Sequence, residues 1–276
     1  MREWPSHTVA ATMFSVTFNV RARLTNDAIE LANQGLWMEN PDLKALTALC
    51  RSDPVITADR ESYVLSSSEL DGVDTTDLDR QFAVAELVLQ RVNGTAQLML
   101  THYLCPARLT GHVQSSARSG ARAHANGVVV YPPDRNFAAL DPGSAATILT
   151  SAAADPLLDQ VLKLLGDPRP GFLWIDLWRM WDVLRRRAEI NGIDRRQWVG
   201  DDQACLDFER SANDPAVSGT NARHGYYQTR PNATDKRTGL PLGQPMSPRD
   251  ATAFIHALIR RWIEEDTGHQ LVLEVP

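Results

Sequence analysis

Three tryptophans recur at helical spacing in the second half of the chain, and this pattern limits the fold more than any other feature. Trp174, Trp178 and Trp181 lie on one face of a helix that Pro170 and Gly171 introduce. Because tryptophan carries a large apolar surface, three of them on one face are more typical of a protein core than of a ligand site. The pattern therefore predicts an amphipathic helix that is buried on its tryptophan side.

Further helical patterns surround the tryptophans. A leucine-rich stretch predicts a short helix before them, and residues 195–210 predict another after them. The last helix has clear start and stop signals, with Ser247 as its cap, Pro248 in its first turn and Gly268 at its end. Residues 151–276 are therefore predicted to form a helical bundle.

The first part of the chain mixes strand and helix signals. Apolar and polar residues alternate over residues 13–24, which is typical of a strand with one face on a core and one in water. We therefore expect Phe14, Phe18 and Val20 to be buried. A second strand is expected at Tyr63 and the residues that follow it.

A helix is expected to begin after two threonines at positions 75 and 76 and to continue to Leu89. Asn93 and Gly94 either end this helix or interrupt it. Residues 134–151 are expected to be a loop, with the sequence Asp-Pro-Gly as its turn. Together the patterns predict an α+β protein with two units, a mixed strand and helix unit over residues 1–150 and a helical bundle over residues 151–276.

Charge and cysteine content limit the function classes. The net charge of −6 argues against a protein that coats nucleic acid non-specifically. Charged residues interrupt every apolar run before it reaches about 18 residues, so no membrane span is expected. The N-terminus has no signal-peptide pattern. Three widely spaced cysteines fit a reducing cytoplasm better than a disulfide framework.

The charge is uneven along the chain. The segment from residue 210 to residue 249 contains six basic residues and two acidic ones. The basic residues are Arg210, Arg223, Arg230, Lys236, Arg237 and Arg249, and the acidic ones are Asp214 and Asp235. This segment is either a local anion-attracting region or a solvated loop.

Within this segment, four residues suit phosphate chemistry. Arg210 and Asn213 are three residues apart at the predicted end of a helix, so they share a side, and Arg223 and His224 follow. Arginine binds phosphate, and histidine titrates near neutral pH. One stabilising charge and one proton carrier are the minimum for metal-free phosphodiester chemistry. The alternative is a polar loop whose side chains cap backbone groups.

Other catalytic patterns fail. His102 and Cys105 have metal-like spacing, but no second pair completes a four-ligand site. The chain contains no phosphate-cradling Gly-x-x-x-x-Gly-Lys, no Gly-x-Gly-x-x-Gly after a strand and no Gly-x-Ser-x-Gly. Neither a metal nor a cofactor is therefore expected.

Two patterns resemble a widespread group of uncharacterised bacterial proteins. They are Glu86-Leu…Val92-Asn93-Gly94-Thr-Ala96, and Ser211-Ala-Asn213…Val217-Ser-Gly219…Ala222-Arg223-His224…Pro245-Met246-Ser247. Together with the tryptophan helix between them, these patterns cover most of the chain.

The C-terminal half also resembles the HEPN superfamily of helical domains, which occurs in many toxin and phage-defence ribonucleases. In active members an arginine and a histidine from each of two subunits form one RNA-cleaving site. The resemblance implies a homodimer in which Arg210 or Arg223 holds phosphate, Asn213 orients, and His224 is the acid and base. Ten residues separate Asn213 from His224, where the motif has only a few. The motif is therefore either split by an inserted loop or matched only in topology.

Two functions follow from these observations. The first is a bacterial cytoplasmic protein that binds or cleaves RNA or a nucleotide through Arg210, Asn213, Arg223 and His224, as a metal-independent endoribonuclease if it is an enzyme. The second is a non-catalytic module that binds a partner protein, in which the same four residues are structural.

Overall fold

The computed structural model describes residues 16–18, 49–59, 62–71, 73–74, 77–99, 109, 141–167, 174–193, 198–199, 202–222 and 244–271. Within these ranges the chain is mostly helical and carries one small antiparallel sheet. In chain order the α-helices are α1 Ser68–Asp71, α2 Leu78–Met99, α3 Pro142–Ala154, α4 Pro156–Leu165, α5 Trp174–Ile190, α6 Asp202–Asn213, α7 Pro215–Ser218 and α8 Pro248–Thr267. A short 3₁₀ helix, Gly219–Asn221, follows α7.

The sheet has three strands, β1 Val16–Phe18, β2 Val55–Asp59 and β3 Ser62–Ser66, in the order β1-β3-β2. Ile56 of β2 pairs with Leu65 of β3, and both side chains are buried. The sheet therefore contributes apolar residues to the core.

The strand expected near Tyr63 is confirmed as β3, and β1 lies inside the alternating stretch. The expected burial of Phe14, Phe18 and Val20 concerns side chains outside the described part of the chain. The periodic pattern did not identify β2, because its sequence Val-Ile-Thr-Ala-Asp begins with two consecutive apolar residues and does not alternate strictly.

The loop expected over residues 134–151 is wrong where the structure describes it, because α3 begins at Pro142. The carboxylate of Asp141 accepts hydrogen bonds from the backbone N–H groups of Gly143 and Ser144, at 3.0 and 2.9 Å. An Asp-Pro pair starts a helix as readily as a turn, and the buried Ile148 supplies the apolar face that selects the helix. Residue 150, the expected boundary, lies inside α3.

One buried core contains residues from both sides of this position, from Leu49 to Leu271. Phe208 of α6 is fully buried within it and lies among four other aromatic rings. The distances from its ring centroid are 5.4 Å to Trp181, 5.5 Å to Phe254, 6.1 Å to Trp174 and 6.4 Å to Trp178. We call these five residues the aromatic cluster. The three tryptophans are buried, as their spacing predicts.

The start and stop signals of the last helix are also confirmed. The hydroxyl of Ser247 accepts a hydrogen bond from the backbone N–H of Asp250 at 3.1 Å. Gly268 ends α8 in the left-handed conformation, with φ 65° and ψ 8°. In contrast, the helix expected over residues 195–210 ends three residues later than expected, at Asn213.

Helices α2 and α4 cross at two glycines. The pair Asn93 and Gly94 neither ends nor interrupts α2, which continues to Met99. A Cβ atom on Gly94 would overlap the carbonyl oxygen of Leu162, and one on Gly166 would overlap the carbonyl oxygen of Gln90. Gly94 is therefore required by the close approach of two backbones and not by a turn.

The variant Gly94→Ala is expected to lower the free energy of unfolding by roughly 1–3 kcal/mol, as overpacking does. Helix propensity alone predicts the opposite sign, because alanine stabilises a helix by about 1 kcal/mol relative to glycine. Urea denaturation distinguishes the two outcomes. The matched control is Ala83→Gly at an exposed position of α2, which should cost about 1 kcal/mol through propensity alone. A more stable Gly94→Ala variant would contradict the close crossing.

No helix in the described ranges is long and apolar enough to cross a membrane.

Candidate functional site

Two of the four residues expected at the site lie within the described part of the chain. Arg210 and Asn213 occupy the last turn of α6, where residues three apart share a side. Arg223 and His224 lie outside the described residues. Arg210 is half-buried, and its Nε atom is enclosed.

The surroundings of Asn213 are polar. Its side-chain amide donates a hydrogen bond to the carbonyl oxygen of Glu209 at 2.6 Å. Its Oδ1 atom is enclosed and has no hydrogen-bond partner among the described residues. The Glu209 carboxylate accepts a hydrogen bond from Nε1 of Trp181 at 3.3 Å, which ties this turn to the aromatic cluster.

Residues 214–222 form a hydrogen-bonded connection that follows α6 directly. The backbone N–H of Asp214 donates to the carbonyl oxygen of Arg210 at 2.9 Å, and its carboxylate accepts from the N–H of Ala216 at 2.9 Å. The hydroxyl of Ser218 donates to the carbonyl oxygen of Asp214 at 3.0 Å. Asp214 and Ser218 are both buried, and the connection packs against α6. Asp214 therefore caps the start of α7, and the Ser218 hydroxyl bonds back to the carbonyl oxygen of the same residue.

A second part of the stretch joins α6 to the segment that precedes α8. The fully buried hydroxyl of Ser211 donates to the carbonyl oxygen of Asp207 and accepts from the N–H of Met246, both at 2.7 Å. The carboxylate of Asp207 accepts from the N–H of Gln244 at 2.6 Å. The two halves of the C-terminal pattern are thus in contact, and Ser211 has a structural role. Nothing in the sequence singled out Asp207.

The most extensive ion-pair network involves Arg91 of α2, which sequence reasoning missed. Its guanidinium binds Glu69 at 2.5 Å and Asp159 at 2.7 Å, and Lys163 binds Asp159 at 2.6 Å. Burial by itself lowers the pKa of Arg91, but hydrogen bonds with Glu69 and Asp159 outweigh it, so the pKa is raised. Arg91 is buried on an apolar helix face, where a charged side chain needs a partner. Its position among apolar residues was the signal in the sequence that could have revealed this network.

A pocket of about 520 Å³ lies beside this network. Its polar wall includes Asp53, Glu69, Arg91 and Asp159, and its apolar wall includes Leu149. Burial raises the pKa of Asp53, but hydrogen bonds from Ser68 and Ser67 outweigh it and lower the pKa overall. Because each of these carboxylates already has a partner, the network is best explained as a link between α1, α2 and α4.

Ser144, His269 and Asp141 meet at the start of α3. The Ser144 hydroxyl lies 3.2 Å from Nε2 of His269 and donates to Asp141 at 2.7 Å, and the same Nε2 lies 4.0 Å from Asp141. In a serine hydrolase the two imidazole nitrogens face different partners. Here a single nitrogen, Nε2 of His269, faces both Ser144 and Asp141, and Ser144 is fully buried. The arrangement caps a helix and has no exposed nucleophile.

The pKa of His256, a residue of α8, lies well below its ordinary value. Burial, and then repulsion by Arg260, lowers the pKa of this histidine from 6.5 to about 4. The residue is half-buried overall, and its Nε2 atom is enclosed. It is therefore neutral at pH 7.

This histidine should make the protein less stable in weak acid. Between about pH 6.5 and 4 the unfolded chain binds a proton on His256 and the folded protein does not, so the free energy of unfolding falls as the pH falls. The loss over this window is up to roughly 3 kcal/mol. Urea denaturation at pH 7 and pH 4.5 should show a smaller difference for His256→Leu than for the wild type. Equal differences in the two proteins would contradict the burial of His256.

Among the described residues, we find neither a metal-binding cluster nor a reactive thiol to add to the candidate site. Within the described ranges, no three His, Cys, Asp or Glu residues are arranged to hold a metal ion. His102 and Cys105 lie outside these ranges. Burial raises the pKa of Cys50 to about 12, so its thiol is protonated at neutral pH and is a poor nucleophile.

Arg210 and Asn213, two of the four expected phosphate-binding residues, thus lie in the last turn of α6, and the other two fall outside the described part of the chain. No protein-family model matches the sequence, and neither a curated protein nor a solved structure matches it.

Proposed function

We propose that this protein binds the phosphate groups of RNA or of a nucleotide at the end of α6, and that it cleaves RNA without a metal ion. The proposed site consists of Arg210, Asn213, Arg223 and His224. In this proposal the C-terminal helices form a HEPN-like bundle, and two copies of the chain complete the site.

The fold of residues 214–222 carries the proposal. Nine extended residues would span about 30 Å and would separate Arg223 from Arg210. Instead, α7 advances the chain by about 6 Å and the 3₁₀ helix by about 6 Å. Helix α7 packs against α6, and the 3₁₀ helix packs against α7. The described inserted residues therefore form two short helical turns and are not extended, which supports the proposal of a motif split by an inserted loop.

The proposed chemistry divides between charge and proton transfer. A guanidinium binds two phosphate oxygens at once and stabilises the charge that develops on them during cleavage. Asn213 orients the reacting groups in this proposal, since its Oδ1 atom has no partner among the described residues and is able to accept a hydrogen bond. His224 takes the proton from the ribose 2′-hydroxyl as its oxygen attacks phosphorus, and the imidazolium so formed gives a proton to the 5′-oxygen as the bond from that oxygen to phosphorus breaks, which leaves a 2′,3′-cyclic phosphate.

Cleavage of total RNA tests this proposal. The wild type should cleave RNA, and His224→Ala should lose at least about 100-fold in rate, as the removal of a general acid–base does. The control His269→Ala should keep its activity. The melting temperatures of both variants, measured beside the rates, show whether a loss of cleavage is a loss of the fold.

A measurement of phosphate binding tests the role of Arg210 separately from RNA cleavage. Arg210→Ala should weaken the binding of inorganic phosphate, measured by nuclear magnetic resonance titration. Arg186→Ala is the matched control, because Arg186 is 63% exposed and pairs with Glu189 at the surface. A wild type that neither binds phosphate nor cleaves RNA would make the proposal wrong.

The alternative function is a non-catalytic module that binds a partner protein. One observation favours it: Ser211 and Asp214, inside the same stretch, make structural hydrogen bonds.

A further inference from the structure

We draw no further inference here: the strongest candidate, the acidic pocket beside the Arg91 ion-pair network, carries none, because its carboxylates already accept hydrogen bonds from Ser68, Arg91 and Lys163 and nothing among the described residues points to a ligand there.

Discussion

Phe208→Ala should lower the free energy of unfolding by about 3–5 kcal/mol, the usual cost of removing a buried aromatic side chain. The ring of Phe208 is fully buried and lies within 6.4 Å of every other ring of the aromatic cluster. Its removal leaves a cavity between α5, α6 and α8, which all supply rings to the cluster. Urea denaturation with a constant slope would measure the loss.

Phe82→Ala is the matched control, since it makes the same substitution at a side chain that is 39% exposed on α2. Its cost should stay below about 1 kcal/mol, as for most surface positions. If Phe208→Ala cost no more than Phe82→Ala, the aromatic cluster would not be a tightly packed core.

Arg91→Met is expected to cost roughly 3 kcal/mol, near the lower end of the range for breaking a buried ion pair. The substitution leaves Glu69 and Asp159 without their shared partner. The cost is not larger because the side chain of Glu69 is 43% exposed and Asp159 keeps its pair with Lys163. Thermal and urea denaturation should agree on the loss.

Two further variants show whether charge or packing causes this loss. Arg186→Met breaks an exposed pair with Glu189 and should change the free energy of unfolding by less than about 1 kcal/mol. Adding Glu69→Gln to Arg91→Met removes the carboxylate that loses its ion pair with Arg91 and should recover part of the stability. A double variant that is less stable than Arg91→Met would indicate that the carboxylate of Glu69 is stabilising without Arg91.

Local patterns in the sequence predicted the helices whose signals lie within a few residues of each other. Ser247, Pro248 and Gly268 marked both ends of α8, and the spacing of the tryptophans identified the buried face of α5. The same local reasoning misread Asp141 and Pro142, because an Asp-Pro pair begins both turns and helices. Contact with the apolar core favours the helix over the turn, and that contact depends on the whole fold and not on neighbouring residues.

The candidate site depends on contacts that local patterns do not contain. Ser211 binds the backbone of Met246, 35 residues away, and Arg91 binds Asp159, 68 residues away. The sequence placed Arg210 and Asn213 on one turn of a helix, and the structure agrees. The meeting of these two with Arg223 and His224 stays a prediction.

The continuous core also has a consequence for synthesis in the cell. Ile56 and Trp262 belong to the same core, although 206 residues separate them in the chain. At about 5–20 residues per second, a ribosome needs roughly 10–40 s to make that stretch. During this time the emerging polypeptide exposes apolar side chains that have no partners yet. Chaperones that bind such surfaces should therefore meet this protein on the ribosome, before its final shape is available.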